Sequence, residues 1–117
     1  MPHIIIEYAG HLDETHCLTG VCQTLFDAAA ASGVFPDVSA IKVRAIPAPF
    51  FRIGTEPQSF AHVTIRLLAG RDEATKAELT RSILAALDQV LPDVGSLSVD
   101  IKNIDTATYA KRTLKEN

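Results

Sequence analysis

The chain has 117 residues, of which 47% are hydrophobic and 21% charged, with a formal net charge of −3 at pH 7. That length suits a single domain over residues 1–117 with one core, and the mildly acidic balance excludes a general nucleic-acid binder, which would carry a basic face. No apolar run is long enough to span a bilayer and no secretory pattern opens the chain, so a cytoplasmic protein with no membrane contact is expected.

In chain order, the first stretch is Met1-Pro2-His3. A small second residue favours removal of Met1, which would leave Pro2 with a free secondary amine on a rigid ring. An α-amino group titrates near 7.7–8.0, so burial or nearby cations would make it a base at neutral pH. The alternative is a proline that only shields the terminus. Residues 2–9 are apolar on both faces and predict a central, doubly covered strand, with Glu7 a structural acceptor. Gly10 ends it. Asp13 is a plausible cap for a helix over about 14–32, whose apolar face is Leu18, Val21, Cys22, Leu25, Ala28 and Ala29. Gly33 stands where a C-terminal cap belongs. Cys17 and Cys22 are too divergent for a disulfide or metal pair and are expected to be reduced and partly buried.

Ile41 and Val43 alternate with Lys42 and Arg44, the period of a half-buried strand that puts both cations on one face. Pro47 and Pro49 are expected to end it. Residues 48–59, with Phe50-Phe51-Arg52, form a loop or short hairpin whose aromatics either plug the core or wall a pocket. From Phe60, Val63, Ile65 and Leu67 alternate with His62, Thr64 and Arg66 up to Ala69-Gly70. Asp72 caps a second helix with the apolar face Leu79, Ile83, Leu84, Leu87 and Val90-Leu91, stopped by Pro92. Leu97, Val99 and Ile101 mark a last strand. The tail from 105, with Lys111, Arg112 and Lys115, is expected to fray or to lean on a neighbouring subunit.

The order β-α-β-β-α-β defines an α+β fold: two β-α-β units sharing a four-stranded sheet, with both helices on one face. Ala9-Gly10 and Ala69-Gly70, sixty residues apart, suggest an internal repeat. The uncovered sheet face is expected to carry apolar side chains and to drive self-association.

Taken together, Pro2-His3 ahead of an apolar strand ending in Glu7, Gly33-Val34-Phe35-Pro36, Ile41-Lys42-Val43-Arg44 and the run from Phe60 to Arg71 resemble the tautomerase superfamily. Within it they are most similar to the 5-carboxymethyl-2-hydroxymuconate isomerase family, over about residues 2–102. The resemblance implies a homotrimer that ketonises a carboxylated dienol of aromatic catabolism without metal or organic cofactor, Pro2 taking the hydroxyl proton. It implies catalytic roles for Pro2, Arg71 and Arg44, and substrate-binding roles for Lys42, Phe51 and His62. Arg71, at a helix entrance, would seat a carboxylate; a solvated arginine or a partner for Asp72 or Glu73 is the plain alternative. The family has arginine where Lys42 stands, and lysine does not grip a carboxylate bidentately, so Arg44 leads and Lys42 is a weaker point charge. Phe51 is either a pocket wall or a core residue. His11, where the second half has Arg71, makes one base–arginine set per chain the expectation. Another Pro2-dependent reaction (haloacrylate hydration or oxo-acid decarboxylation) and a non-catalytic trimeric module are the competing readings.

Overall fold

A computed structural model describes residues 2–114. Met1 and residues 115–117 lie outside the described residues, and with them the expected loss of Met1 and the tail cation Lys115.

The chain forms β1 (His3–Ala9), α1 (Leu18–Ala31), β2 (Lys42–Ala48), β3 (Phe60–Leu68), α2 (Glu73–Val90) and β4 (Ser96–Ile104), with short 3₁₀ turns at Gly10–Glu14, Val38–Ala40 and Thr106–Thr108. The sheet order is β2-β1-β3-β4. Within each β-α-β unit the strands run parallel, and the two units meet through the antiparallel pair β1–β3. This is the expected topology.

Alternation decides which side chains enter the core. Ile4, Ile6 and Tyr8 of β1 and Ala61, Val63, Ile65 and Leu67 of β3 point at the helices and are buried. They meet Val21, Leu25 and Ala29 from α1 and Leu79, Ile83 and Leu87 from α2, each set recurring every four residues. Burial of each large aliphatic chain stabilises the fold by about 1.5–3 kcal/mol. Leu84, expected on that face, is 38% exposed, because it falls one position past the buried stripe.

Four local expectations change. Helix α1 starts at Leu18, not near 14, because Gly10–Glu14 forms a 3₁₀ turn and the Cys17 Sγ accepts from the Gly20 N–H at 3.4 Å as the cap; Asp13 is not the cap. Cys17 is accordingly exposed rather than partly buried, and both cysteines are free thiols. Strand β2 runs through Pro47 to Ala48: it is an edge strand, and a proline whose missing N–H faces outward costs no ladder bond. The fourth is the open sheet face. Alternation places His3, Ile5 and Glu7, Lys42, Arg44 and Ile46, and His62, Thr64 and Arg66 on it. Apolar groups there include Ile5, Ile46, Phe60 and the Leu68–Ile104 pair, set among charged and polar side chains, so within one chain the first strand is covered on one face only.

Other signals hold. Gly33 follows α1 at φ +76°, which is open to glycine at no steric cost. Asp72 caps α2, its Oδ1 accepting from the Thr75 N–H at 2.8 Å.

Candidate active site

Pro2 is fully buried at the head of β1, where its carbonyl accepts the Lys42 N–H at 3.1 Å. Because β3 runs back toward this point, the chain leaves β3 beside Pro2's end of the sheet and reaches Gly70 and Arg71 there. Gly70 turns at φ +125°, which lets α2 begin three residues later at Glu73. The fold thus brings Pro2, Lys42, Arg44 and Arg71 to one end of the sheet.

Arg71 is held on two sides. Its Nη1 donates to the Leu68 carbonyl and its Nη2 to the Val34 carbonyl, both at 3.1 Å, and the guanidinium lies 5.4 Å from the Phe35 ring centre. It pairs with neither Asp72 nor Glu73; among the described residues the one such contact of a basic side chain with a carboxylate is the hydrogen bond of His16 Nε2 with Asp93 at 2.9 Å. A guanidinium has five N–H donors, so several remain for an incoming carboxylate. Arg71 lines a cavity of about 210 Å³ with Phe35, Pro36, Asp37, Ala40 and Lys111. Lys42 sends its Nζ to the Ala40 carbonyl at 2.7 Å, on the rim of this cavity.

Arg44 lies on the open face beside β1. Its Nη1 donates to His3 Nδ1 at 3.1 Å, and His3 Nε2 is 3.0 Å from the Tyr109 hydroxyl. Arginine has no acceptor, so Nδ1 carries no proton, and the remaining Nε2–H donates to Tyr109. The arrangement demands a neutral imidazole. Burial, then the charges of Arg44, Lys42 and Arg66, push the His3 pKa below 6.5 in the same direction. Strand register also lines up Lys42, His3, Arg66 and Lys102 across all four strands. An anion approaching this end meets an excess of positive charge.

Phe51 and His62 are elsewhere. Phe51 stacks on His11 at 5.8 Å between centroids and meets Phe60 edge-on at 5.4 Å, beyond the far end of β1. His62 faces Glu7 across the β1–β3 ladder, and its Nδ1 is 2.6 Å from the Ser98 hydroxyl. Glu7 is four strand steps from His3, about 13 Å at 3.3 Å per residue. One chain therefore does not bring Phe51 or His62 to Pro2.

Sequence reasoning passed over Tyr109, Arg66 and Lys102 as site groups. Arg66 and Lys102 were visible as the polar half of an alternation; the register that lines them up with His3 was not. The tail corrects a further expectation. Its described residues turn at Thr106–Thr108 and pack Tyr109 on His3 of the same chain, so the start of the tail is anchored.

A sequence model of the family described as 5-carboxymethyl-2-hydroxymuconate isomerase matches residues 2–116. Among solved structures, a 5-carboxymethyl-2-hydroxymuconate delta-isomerase is 25% identical, with TM-score 0.77, over 98% of this chain and 89% of that one. A 5-carboxymethyl-2-hydroxymuconate isomerase from Deinococcus radiodurans R1 is 27% identical, with TM-score 0.81, over 97% and 90%. A fused 4-OT wild-type symmetric trimer shares the fold at 19% identity and TM-score 0.72, over 90% and 87%. No curated protein matches the chain.

Proposed function

Because the chain belongs to the 5-carboxymethyl-2-hydroxymuconate isomerase family, and is thereby an isomerase of the tautomerase superfamily, we propose that it ketonises 5-carboxymethyl-2-hydroxymuconate or a close carboxylated dienol, with Pro2 as the base. The observation that carries this reading is the full burial of Pro2 at the cationic end of the sheet.

Removal of Met1 exposes the Pro2 secondary amine. Burial disfavours its ammonium form, and the cations of this end add to the effect, so the amine is free to accept a proton at neutral pH. The amine takes the dienol hydroxyl proton; the O–H electrons close a C=O bond, the conjugated double bonds shift along the chain, and the distal carbon receives a proton. No proton is gained or lost overall. Arg71, fixed by the Leu68 and Val34 carbonyls, holds a carboxylate or the developing oxyanion without having to reorganise. Arg44, oriented by His3, supplies the second anchor, and Lys42 a point charge beside it.

Phe51 and His62 enter the same pocket only from another copy of the chain. A homotrimer is the assembly we assign, and the symmetric-trimer relative supports it. The test follows the decay of dienol absorbance. Turnover of the tricarboxylic dienol far above that of a simple phenylpyruvate enol is expected, and equal rates would overturn the substrate assignment.

A further inference from the structure

Lys111 stands on the same cavity as Arg71 yet has no part in the mechanism above. The segment that carries it is anchored. Asp105 accepts the Ala107 N–H at 3.0 Å, closing the Thr106–Thr108 turn, and the Tyr109 ring then meets His3 edge-on at 6.0 Å with its hydroxyl bonded to Nε2. Two residues further on, Lys111 closes the cavity otherwise formed by Phe35, Pro36, Asp37, Ala40 and Arg71.

We propose that the segment after β4 is part of the substrate pocket, with Lys111 binding, across the cavity from Arg71, one carboxylate arm of the substrate. This deepens the ketonisation reading and rests on it for the identity of the substrate.

Size and charge both point to a single arm. At about 210 Å³ the cavity is smaller than the roughly 300–1,000 Å³ of pockets that enclose a drug-sized ligand. It takes a fragment, with the rest of the molecule left at Pro2. Its charged walls are Arg71, Lys111 and Asp37. The Asp37 carboxylate is committed to its own turn: Oδ1 accepts the Ser39 hydroxyl at 2.6 Å and the Ser39 N–H at 3.1 Å. These bonds, with Lys111 adding, hold it ionised below the usual range. Two cations against one carboxylate leave one positive charge for a ligand. A dienol dicarboxylate bearing an added carboxymethyl group has one carboxylate more than its unsubstituted parent, and this subsite accounts for it.

The test compares wild type, Lys111→Met and Lys111→Arg on 5-carboxymethyl-2-hydroxymuconate and on 2-hydroxymuconate, which lacks the arm. Lys111→Met is expected to raise KM for the tricarboxylate about tenfold, to leave the dicarboxylate within about twofold, and to leave Tm unchanged, since Lys111 is exposed. Lys111→Arg should restore most of the loss. Equal effects on both substrates, or none on either, would overturn the assignment. Calorimetric binding of propane-1,2,3-tricarboxylate gives a readout free of turnover, with Lys111→Met expected to bind it more weakly and equal affinity counting against the subsite. A wild type that turned over neither dienol, yet bound this probe in a Lys111-dependent way, would remove the ketonisation reading and keep the subsite. Tyr109→Phe should raise the tricarboxylate KM several-fold by loosening the anchor.

Discussion

At the end of the sheet where β1 begins, the open face presents nitrogen: Lys42, Arg44, His3, Arg66 and Lys102, with Arg71 just beyond β3. At the other end the same four strands present rings and hydroxyls, with Phe60 under Phe51, Phe51 against His11, and His62 on Ser98. The first end has the positive charge to hold anions and carries Pro2; the second offers an aromatic wall, with Glu7 opposite His62 on the ladder. The unsaturated polycarboxylate we propose as substrate would use both. One copy holds them at opposite ends of a strand, and in the trimer we propose another copy supplies the missing half of each pocket.

The largest effect should come from the base. Pro2→Ala leaves a primary amine on a flexible residue, and kcat is expected to fall by about 10²-fold or more, the range for a general base, with secondary structure intact by circular dichroism. Next is Arg71→Gln. Loss of a charge-assisted anchor should lower kcat/KM by about 10–100-fold, and loss of the bonds to Val34 and Leu68 should lower Tm as well.

A complementation test breaks the comparison directly. Phe51→Ala should depress kcat/KM about tenfold without touching the cationic end. Unfolding and reassembling it together with Pro2→Ala should give mixed assemblies more active than either parent. Activity no higher than the parents' average would mean that the two ends do not share a pocket.

The smallest effect is with pH. The His3 pKa is lowered, so the native state binds fewer protons than the unfolded chain between that value and 6.5, and stability rises with pH across the window. Acidification below 6.5 should lower Tm and loosen Arg44, with a shallower slope in His3→Asn.

Topology, core stripes and most of the cationic end were legible because they rest on local patterns: alternation, helical spacing, Asp72 and Gly33 as caps. The repeat was legible only in part. An offset of sixty carries Ile4 and Ile6 onto Thr64 and Arg66, which face outward while the isoleucines face in. The two halves are therefore one residue out of step, and a one-residue slip exchanges the faces of a strand. His62 accordingly lies on the open face, with His3. The two Ala-Gly steps also differ. Gly70 is needed for its φ of +125°, whereas a Cβ at Gly10 would come within 3.2 Å of the Ala48 carbonyl oxygen and of Pro49 Cα. Contacts such as His3 with Tyr109 join residues 106 positions apart, and nothing local in either stretch signals them.

Catalysis by the proposed route requires a free amine at Pro2. Intact mass spectrometry on the same sample used for dienol turnover tests it most directly. The active protein should have the mass of a chain beginning at Pro2, and a variant forced to keep Met1 should be inactive. Full activity in a protein whose mass includes Met1 would contradict it.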